Sequence, residues 1–197
     1  MTNKENPCRC GWANPNNPLY VDYHDHEWGV PCHDERQLFE MLNLEGAQAG
    51  LSWETVLNKR EHYRKVFDQF NPQKIIKYDD RKIEALMQDA GIIRNRLKIN
   101  AVISNAHAYL KLCEEFGGLD HYLWRHVKGK PVVNRSGRII TNELSDSISK
   151  DLKKRGFKFV GSTIIYAYMQ AIGMVNDHSP DCDWHPDRLS KARKRSA

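Results

Sequence analysis

An all-α fold is expected for this chain, on three observations. Apolar residues recur at spacings of three and four, residues that suit helix caps bracket those segments, and only one stretch breaks the pattern. At 197 residues, 40% of them apolar and 28% charged, the chain can bury one domain core.

The elements follow in order. Asp34 can cap a helix through the amide of Gln37, and Leu38, Met41, Leu42 and Ala49 share one face of it. Ser52 caps the next, whose apolar side is Val56, Tyr63 and Phe67. Asn71 with Pro72 reads as a cap followed by proline at the first helical position, and Gly91 as the end of a helix carrying Ile83, Leu86 and Met87. Ile99, Val102, Ile103, Ala106, Leu110 and Cys113 mark the clearest helix, ended by Gly117 and Gly118; a shorter one runs from Asp120 through Trp124. The stretch KPVVNRSGRIITN, 130 to 142, reads as a loop that could hold a short β-hairpin. Ile148 to Lys154 and Ser162 to Ile172 are the last two helices, joined by RGFKFVG.

No apolar run approaches the roughly 20 residues of a membrane helix. The first five residues have no signal-peptide character, so a cytoplasmic location with no membrane partner is expected. One domain is expected over residues 8 to 186, in two helical lobes. A basic flexible tail follows over 187 to 197, and the protein is expected to be a monomer. The net charge of +5 permits nucleic-acid binding without establishing it.

Five cysteines at irregular spacing argue for metal binding with spare thiols, not for a disulfide framework. Cys10 with His24, and His178 with Cys182, form two half-sites at opposite ends of the chain. Two thiolates and two imidazoles make a closed tetrahedral set for Zn²⁺, with no open position for water, so a structural zinc stapling the ends is expected. Cys8 and His26 lie close enough in sequence to compete for it.

Glu45 lies three residues after Leu42, four after Met41 and seven after Leu38, so at about 100° per residue it points along the apolar stripe. It is either the partner of a neighbouring cation or cap, or the carboxylate of a polar pocket. The small residues that follow it, then Ser52 and Trp53, would suit a flat polar ligand such as a purine. Trp12, Tyr20, Tyr23 and Trp28 cluster near the first half-site, either as core or as faces on which a base could stack.

The turn from Gly156 to Gly161 has glycine at both ends. It is either an ordinary helical hairpin with a solvated charge run, or a device that brings backbone amides and Lys158 to a phosphate.

The strings RCGW, LYVDYHDHEWGVP, LFEMLNLEGAQAGLSWETVLNKRE, DAGIIRNRLKI and KRGFKFVGSTIIYAYMQAIGMVNDH, with Cys182 after them, closely resemble the bacterial 3-methyladenine DNA glycosylase I family over residues 8 to 182. The resemblance implies a helix-hairpin-helix glycosylase that excises 3-methyladenine from alkylated double-stranded DNA. It implies zinc on Cys10, His24, His178 and Cys182; a base-recognising, catalytic carboxylate at Glu45; stacking at Trp53; and pocket contacts from Tyr23, Tyr20 and Trp12. Gln48 and Leu51 would fill the gap left by the flipped nucleotide, while Gly156, Lys158, Gly161 and Ser162 would hold the DNA backbone. Ser162 follows Gly161 where strand-cutting relatives carry a lysine nucleophile, so a monofunctional hydrolase that leaves an abasic site is expected. Asp177 is expected to orient His178. Two rivals are a hydrolase with open zinc on His24, His26, Glu27 and His178, and a module that binds alkylated DNA without cutting.

Overall fold

The structure, a computed structural model, describes residues 7 to 195. It is an assembly of helices: α1 Pro18–His26, α2 Glu35–Gln48, α3 Trp53–Leu57, α4 Arg60–Val66, α5 Pro72–Ile75, α6 Asp80–Gln88, α7 Arg96–Phe116 and α8 Leu119–Trp124, then the two-residue strand β1 Val132–Val133, α9 Glu143–Lys154, α10 Ser162–Ala171, the strand β2 Val175–Asn176 and α11 Pro186–Arg195. No described helix is long and apolar enough to cross a membrane.

Helix α2 lies at the centre, against α3, α7, α8 and α10. Every residue from Leu38 to Ala47 is buried, not only the stripe read from the spacing. A helix with neighbours on all sides buries its polar residues too, which is how Glu40, Asn43 and Glu45 come to lie inside.

Local capping chemistry sets the boundaries. Asp34 accepts from the Gln37 amide at 2.8 Å, Ser52 from Thr55 at 3.2 Å and Asn71 from Gln73 at 3.1 Å, as expected. Gly117 closes α7 at φ +83°, the left-handed conformation that favours glycine.

Several expectations are corrected. The helix expected from Ser52 through Phe67 is two, broken at Asn58 and Lys59. Gly91 does not end α6; Asp89 does, and Gly91 is required because a Cβ there would meet the His62 ring at 2.1 Å. Asn142 starts α9 earlier than the apolar residues suggested, through a reciprocal capping box with Ser145. Residues 130 to 142 form no hairpin: Val132 and Val133 pair in parallel with Val175 and Asn176. Of the expected tail, residues 187 to 195 lie in α11; residues 196 and 197, like the first six, lie outside those described.

The first residue of α2 organises α8. Glu35 accepts from the Tyr109 hydroxyl (2.9 Å) and from the amides of Leu119 (2.9 Å) and Asp120 (2.8 Å), the otherwise unpaired donors at the α8 N-terminus. Glu35→Ala should therefore lower stability by about 2 kcal/mol, the scale of losing hydrogen bonds to a charged group. Urea unfolding followed by circular dichroism checks this; an unchanged midpoint would refute it.

Candidate active site and metal centre

The four residues expected as ligands converge. Cys10, His24, His178 and Cys182 are all buried, with one ligand atom of each within 4.8 Å of every other. Cys10 Sγ lies 3.4 Å from His178 Nδ1, Cys182 Sγ 3.4 Å from the same nitrogen and 3.5 Å from His24 Nε2. A tetrahedron with ordinary zinc–sulfur and zinc–nitrogen bonds has sulfur–nitrogen edges of about 3.6 Å, so the cluster could hold a metal ion of that size.

The remaining ring nitrogens are engaged elsewhere. His24 Nδ1 meets Asp25 Oδ1 at 2.7 Å, and His178 Nε2 lies 3.2 Å from the Trp28 carbonyl, which turns the opposite nitrogen of each ring inward. Arg9 pairs with Asp25 in turn, at 2.6 Å. The Ser179 amide and hydroxyl both lie 3.4 Å from Cys10 Sγ and can donate to a thiolate. The two thiols interact, which lowers the Cys10 pKa and raises that of Cys182.

The competitors stay out. Cys8 is exposed, and the exposed His26 pairs with Asp22 at 2.8 Å. Glu27 is held by Arg60 at 2.7 Å, so the set required for an open hydrolytic zinc site does not assemble. Asp177 does not orient His178. Neighbouring residues of an extended segment point opposite ways, and Asp177 accepts instead from Asn134 (2.5 Å), Tyr166 (3.0 Å) and Gln170 (2.5 Å).

The N-terminal segment passes from this cluster to a second site. Trp12 lies 5.2 Å from the His24 ring and 4.8 Å from Trp28, and on its other side 5.3 Å from Tyr20 and 6.5 Å from Tyr23. Tyr23 lies 5.2 Å from Trp53. Glu54, next to Trp53, fastens the segment by accepting from Asn14 (2.9 Å) and Asn17 (2.8 Å), whose other role is to cap α1. The three residues expected with Trp53 in a pocket thus form one aromatic wall.

Glu45 is 4% exposed and has no hydrogen bond or ion pair among the described residues. Burial alone pushes its carboxyl up to about 8. Its charge would in turn raise Tyr23, after burial, and add to the effects of burial and Glu54 on Tyr20. The buried Trp53 Nε1 also lacks a hydrogen-bond partner. Buried polar groups are normally paired, so a carboxyl and an indole N–H left open beside one aromatic wall mark a place for a ligand.

Beyond Glu45, α2 ends in a turn carrying Gln48 and Leu51, with Gly50 at φ +77° and Leu51 41% exposed. Lys98 holds that turn through the carbonyls of Ala47 (2.8 Å) and Ala49 (2.7 Å). The hairpin between α9 and α10 lies on the same helix. Gly161 precedes α10 with no side chain capping it, so the first amides of α10 have no side-chain acceptor. Gly156 supplies the positive φ of +95°, and Lys158 is exposed. The Ser162 hydroxyl is bonded to Ser145 and Asp146. Arg155 is occupied by Glu115 and Asp151.

Sequence reasoning missed Asp25, Glu54, Lys98 and the amides of Asn43 and Asn105. Asn105 donates to Asn43 Oδ1 (2.9 Å) and the Lys158 carbonyl (3.2 Å) and accepts from the Lys158 amide (2.7 Å). Only Asp25, adjacent to a ligand, carried any local signal.

Known proteins resemble nearly the whole of this fold. The sequence model described as methyladenine glycosylase matches residues 12–185. DNA-3-methyladenine glycosylase 1 of Escherichia coli strain K12 is 50% identical over 182 residues, spanning 90% of this chain and 97% of that protein. A crystal structure of a 3-methyladenine DNA glycosylase I superposes with a TM-score of 0.87 at 49% identity, covering 91% of this chain and all of that one. A tyrosine-to-phenylalanine variant of such an enzyme, solved in complex with 3-methyladenine, superposes with a TM-score of 0.86 at 36% identity, over 90% and 97% of the two chains.

The raised Glu45 makes a test that needs no substrate. Between the ordinary glutamate range and about 8, the folded chain binds a proton that the unfolded chain has released, so this residue lowers stability as pH rises through that window. Glu45→Gln should melt above the wild type, with a wider margin at pH 8.5 than at pH 5.5. Thermal melts at the two values check the sign; a margin that is constant or narrows upward would show that Glu45 is not held protonated.

Proposed function

The chain belongs to the methyladenine glycosylase family, and from that premise we propose that it excises 3-methyladenine from alkylated double-stranded DNA, leaving an abasic site. The observation that carries this reading is the buried, unpartnered Glu45 beside an aromatic wall whose Trp53 N–H is also unpartnered.

The damaged nucleotide is extruded from the duplex and its base stacks on Trp53, with Tyr23, Tyr20 and Trp12 lining the remaining wall. Gln48, the last residue of α2, and the exposed Leu51 in the turn after it fill the vacated stack. Extrusion costs a few kcal/mol, less for a damaged base. Phosphates are held by the uncapped α10 N-terminus at Gly161 and Ser162, and by Lys158 and the main chain at Gly156, in the manner of a helix-hairpin-helix. Ser162 contributes its amide, since its hydroxyl already has partners.

A 3-methylated adenine carries positive charge in the nucleotide. In the empty site at neutral pH Glu45 holds its proton; a cation brought close favours the ionised form, and the proton leaves to solvent. The carboxylate then accepts from the exocyclic amine of the base. The C1′–N9 bond breaks with its electron pair going to the base, which departs as neutral 3-methyladenine. Water oxygen bonds to C1′ and releases its proton to solvent. Ordinary adenine brings no cation, leaves Glu45 protonated and is a poor leaving group. Rejection by unmatched polar groups reaches several orders of magnitude in other sites.

The metal centre is proposed as structural zinc on Cys10, His24, His178 and Cys182. When bound it supplies a cross-link between the chain ends and no chemistry at the base. The burial of all four ligands and the closed donor set support this. No lysine stands at the start of α10, which supports a monofunctional enzyme.

Incubation with methylated duplex DNA, with the released bases separated by chromatography, should yield 3-methyladenine and no 7-methylguanine. Glu45→Gln should slow release by about 100-fold, the scale of removing a charge aimed at the reacting centre. Release of no base from a folded wild type would overturn the reading. Borohydride should trap no covalent adduct. Purified protein should contain zinc by atomic emission, and Cys182→Ala should lose it and melt at lower temperature. A variant that lost zinc and activity with an unchanged melt would instead make the metal catalytic.

A further inference from the structure

We infer that Asn105 is a positioning residue for this reaction, its buried amide fixing the hairpin backbone at Lys158 to the helix that carries Glu45. The inference rests on the function proposed above, in which the hairpin grips phosphates and Glu45 meets the base.

Asn105 stands on α7 and is 2% exposed. Its Oδ1 accepts from the Lys158 amide at 2.7 Å while its Nδ2 donates to the carbonyl of the same residue at 3.2 Å. One side chain thereby holds both polar groups of a single peptide residue. The second Nδ2 proton goes to Asn43 Oδ1 at 2.9 Å, and Asn43 Nδ2 donates to the Phe39 carbonyl at 2.8 Å. Both amide protons of Asn105 are used, so the relay is satisfied and has one orientation. Asn43 stands two residues before Glu45 on α2.

A second contact joins the same two elements. A Cβ on Gly46 would lie 3.1 Å from Phe159 Cβ and 3.3 Å from its carbonyl oxygen, so the residue after Glu45 must be small for the hairpin to seat. Phe159 itself adopts φ +53°, a left-handed conformation that costs an L-residue about 1 kcal/mol and persists only where surroundings impose it. Lys158, between the pinned amide and the strained phenylalanine, keeps its side chain in solvent and has no ion-pair partner among the described residues. Packing alone would be served by an apolar residue at 105. A buried amide read at both ends by one backbone residue sets orientation, and here it sets the distance from phosphate grip to base pocket.

Asn105→Leu removes the relay at similar volume. Three quantities are compared with wild type: affinity for a duplex containing an abasic site, single-turnover release of 3-methyladenine at saturating DNA, and affinity for free 3-methyladenine by tryptophan quenching. Duplex affinity and release should each fall by about tenfold or more, since misplacement of about 1 Å costs up to 100-fold. Affinity for the free base should stay within about twofold, because the pocket itself is untouched. If all three fall together, Asn105 is only structural and the inference fails; if none changes, it also fails. Should Asn105→Leu not fold, Asn105→Ala, which removes the same three hydrogen bonds with less bulk, is held to the same comparison. A wild type that releases no base refutes the proposed function, and the duplex and free-base affinities then still decide the coupling.

Discussion

The meeting of the two chain ends at Cys10, His24, His178 and Cys182 is the constraint on which the rest of the site depends. The segment from Cys10 to Trp28 adds Cys10, Tyr23 and Trp28 to the core, with Tyr20 packed against it, and supplies Trp12 as well. Besides the Glu54 bonds to Asn14 and Asn17, a contact between residues 168 apart in sequence holds it. Closing so long a loop is entropically unfavourable, which is the circumstance in which a cross-link stabilises most. Nearby backbone contacts continue the seam: Gly29 donates to Gln170 at 2.9 Å and Cys32 to Ile172 at 3.0 Å. Gly173, at φ +68°, leaves no room for a Cβ beside Val30.

Helix α2 faces that seam and carries the opposing demand. Its middle is buried on every side, and this gives Glu45 a rigid position while depriving it of water. Nothing nearby neutralises the carboxyl, although the same helix shows that the fold can do so: Glu40, five residues earlier, is fully paired with Arg60 and Arg64. The contrast within one helix sets a paired buried carboxylate beside an unpaired one, and on the function proposed above the second is left open for a ligand, the kind of position at which stability is commonly given up. Lys98 and the Asn43–Asn105 relay then immobilise what flanks Glu45 on either side.

The sequence was most legible where the physics is local. Caps at Asp34, Ser52 and Asn71 depend on residues two or three apart, and all three are formed. The convergence of the four Cys and His residues was legible because that set has few other uses in that arrangement, and the burial of Glu45 because a carboxylate in an apolar stripe contradicts its surroundings. Illegible were features decided by distant partners. The β1–β2 pair joins residues 43 apart, the break at Asn58 interrupts an otherwise continuous apolar face, and Asn105 reads as one more polar residue on a long helix. Asp177 was misread because adjacency in sequence is no guide to direction in an extended segment.

An acid that rests protonated has a consequence for travel along the double helix. Any enzyme of this class meets vast numbers of intact bases for each lesion, and does so while lying against a polyanion. A permanently ionised carboxylate at the mouth of its site would repel that surface at every step, and more strongly at low ionic strength. On the function proposed above, a Glu45 held neutral by burial until a cationic base arrives would let the protein scan with its basic excess undiminished and acquire the opposing charge only where it halts.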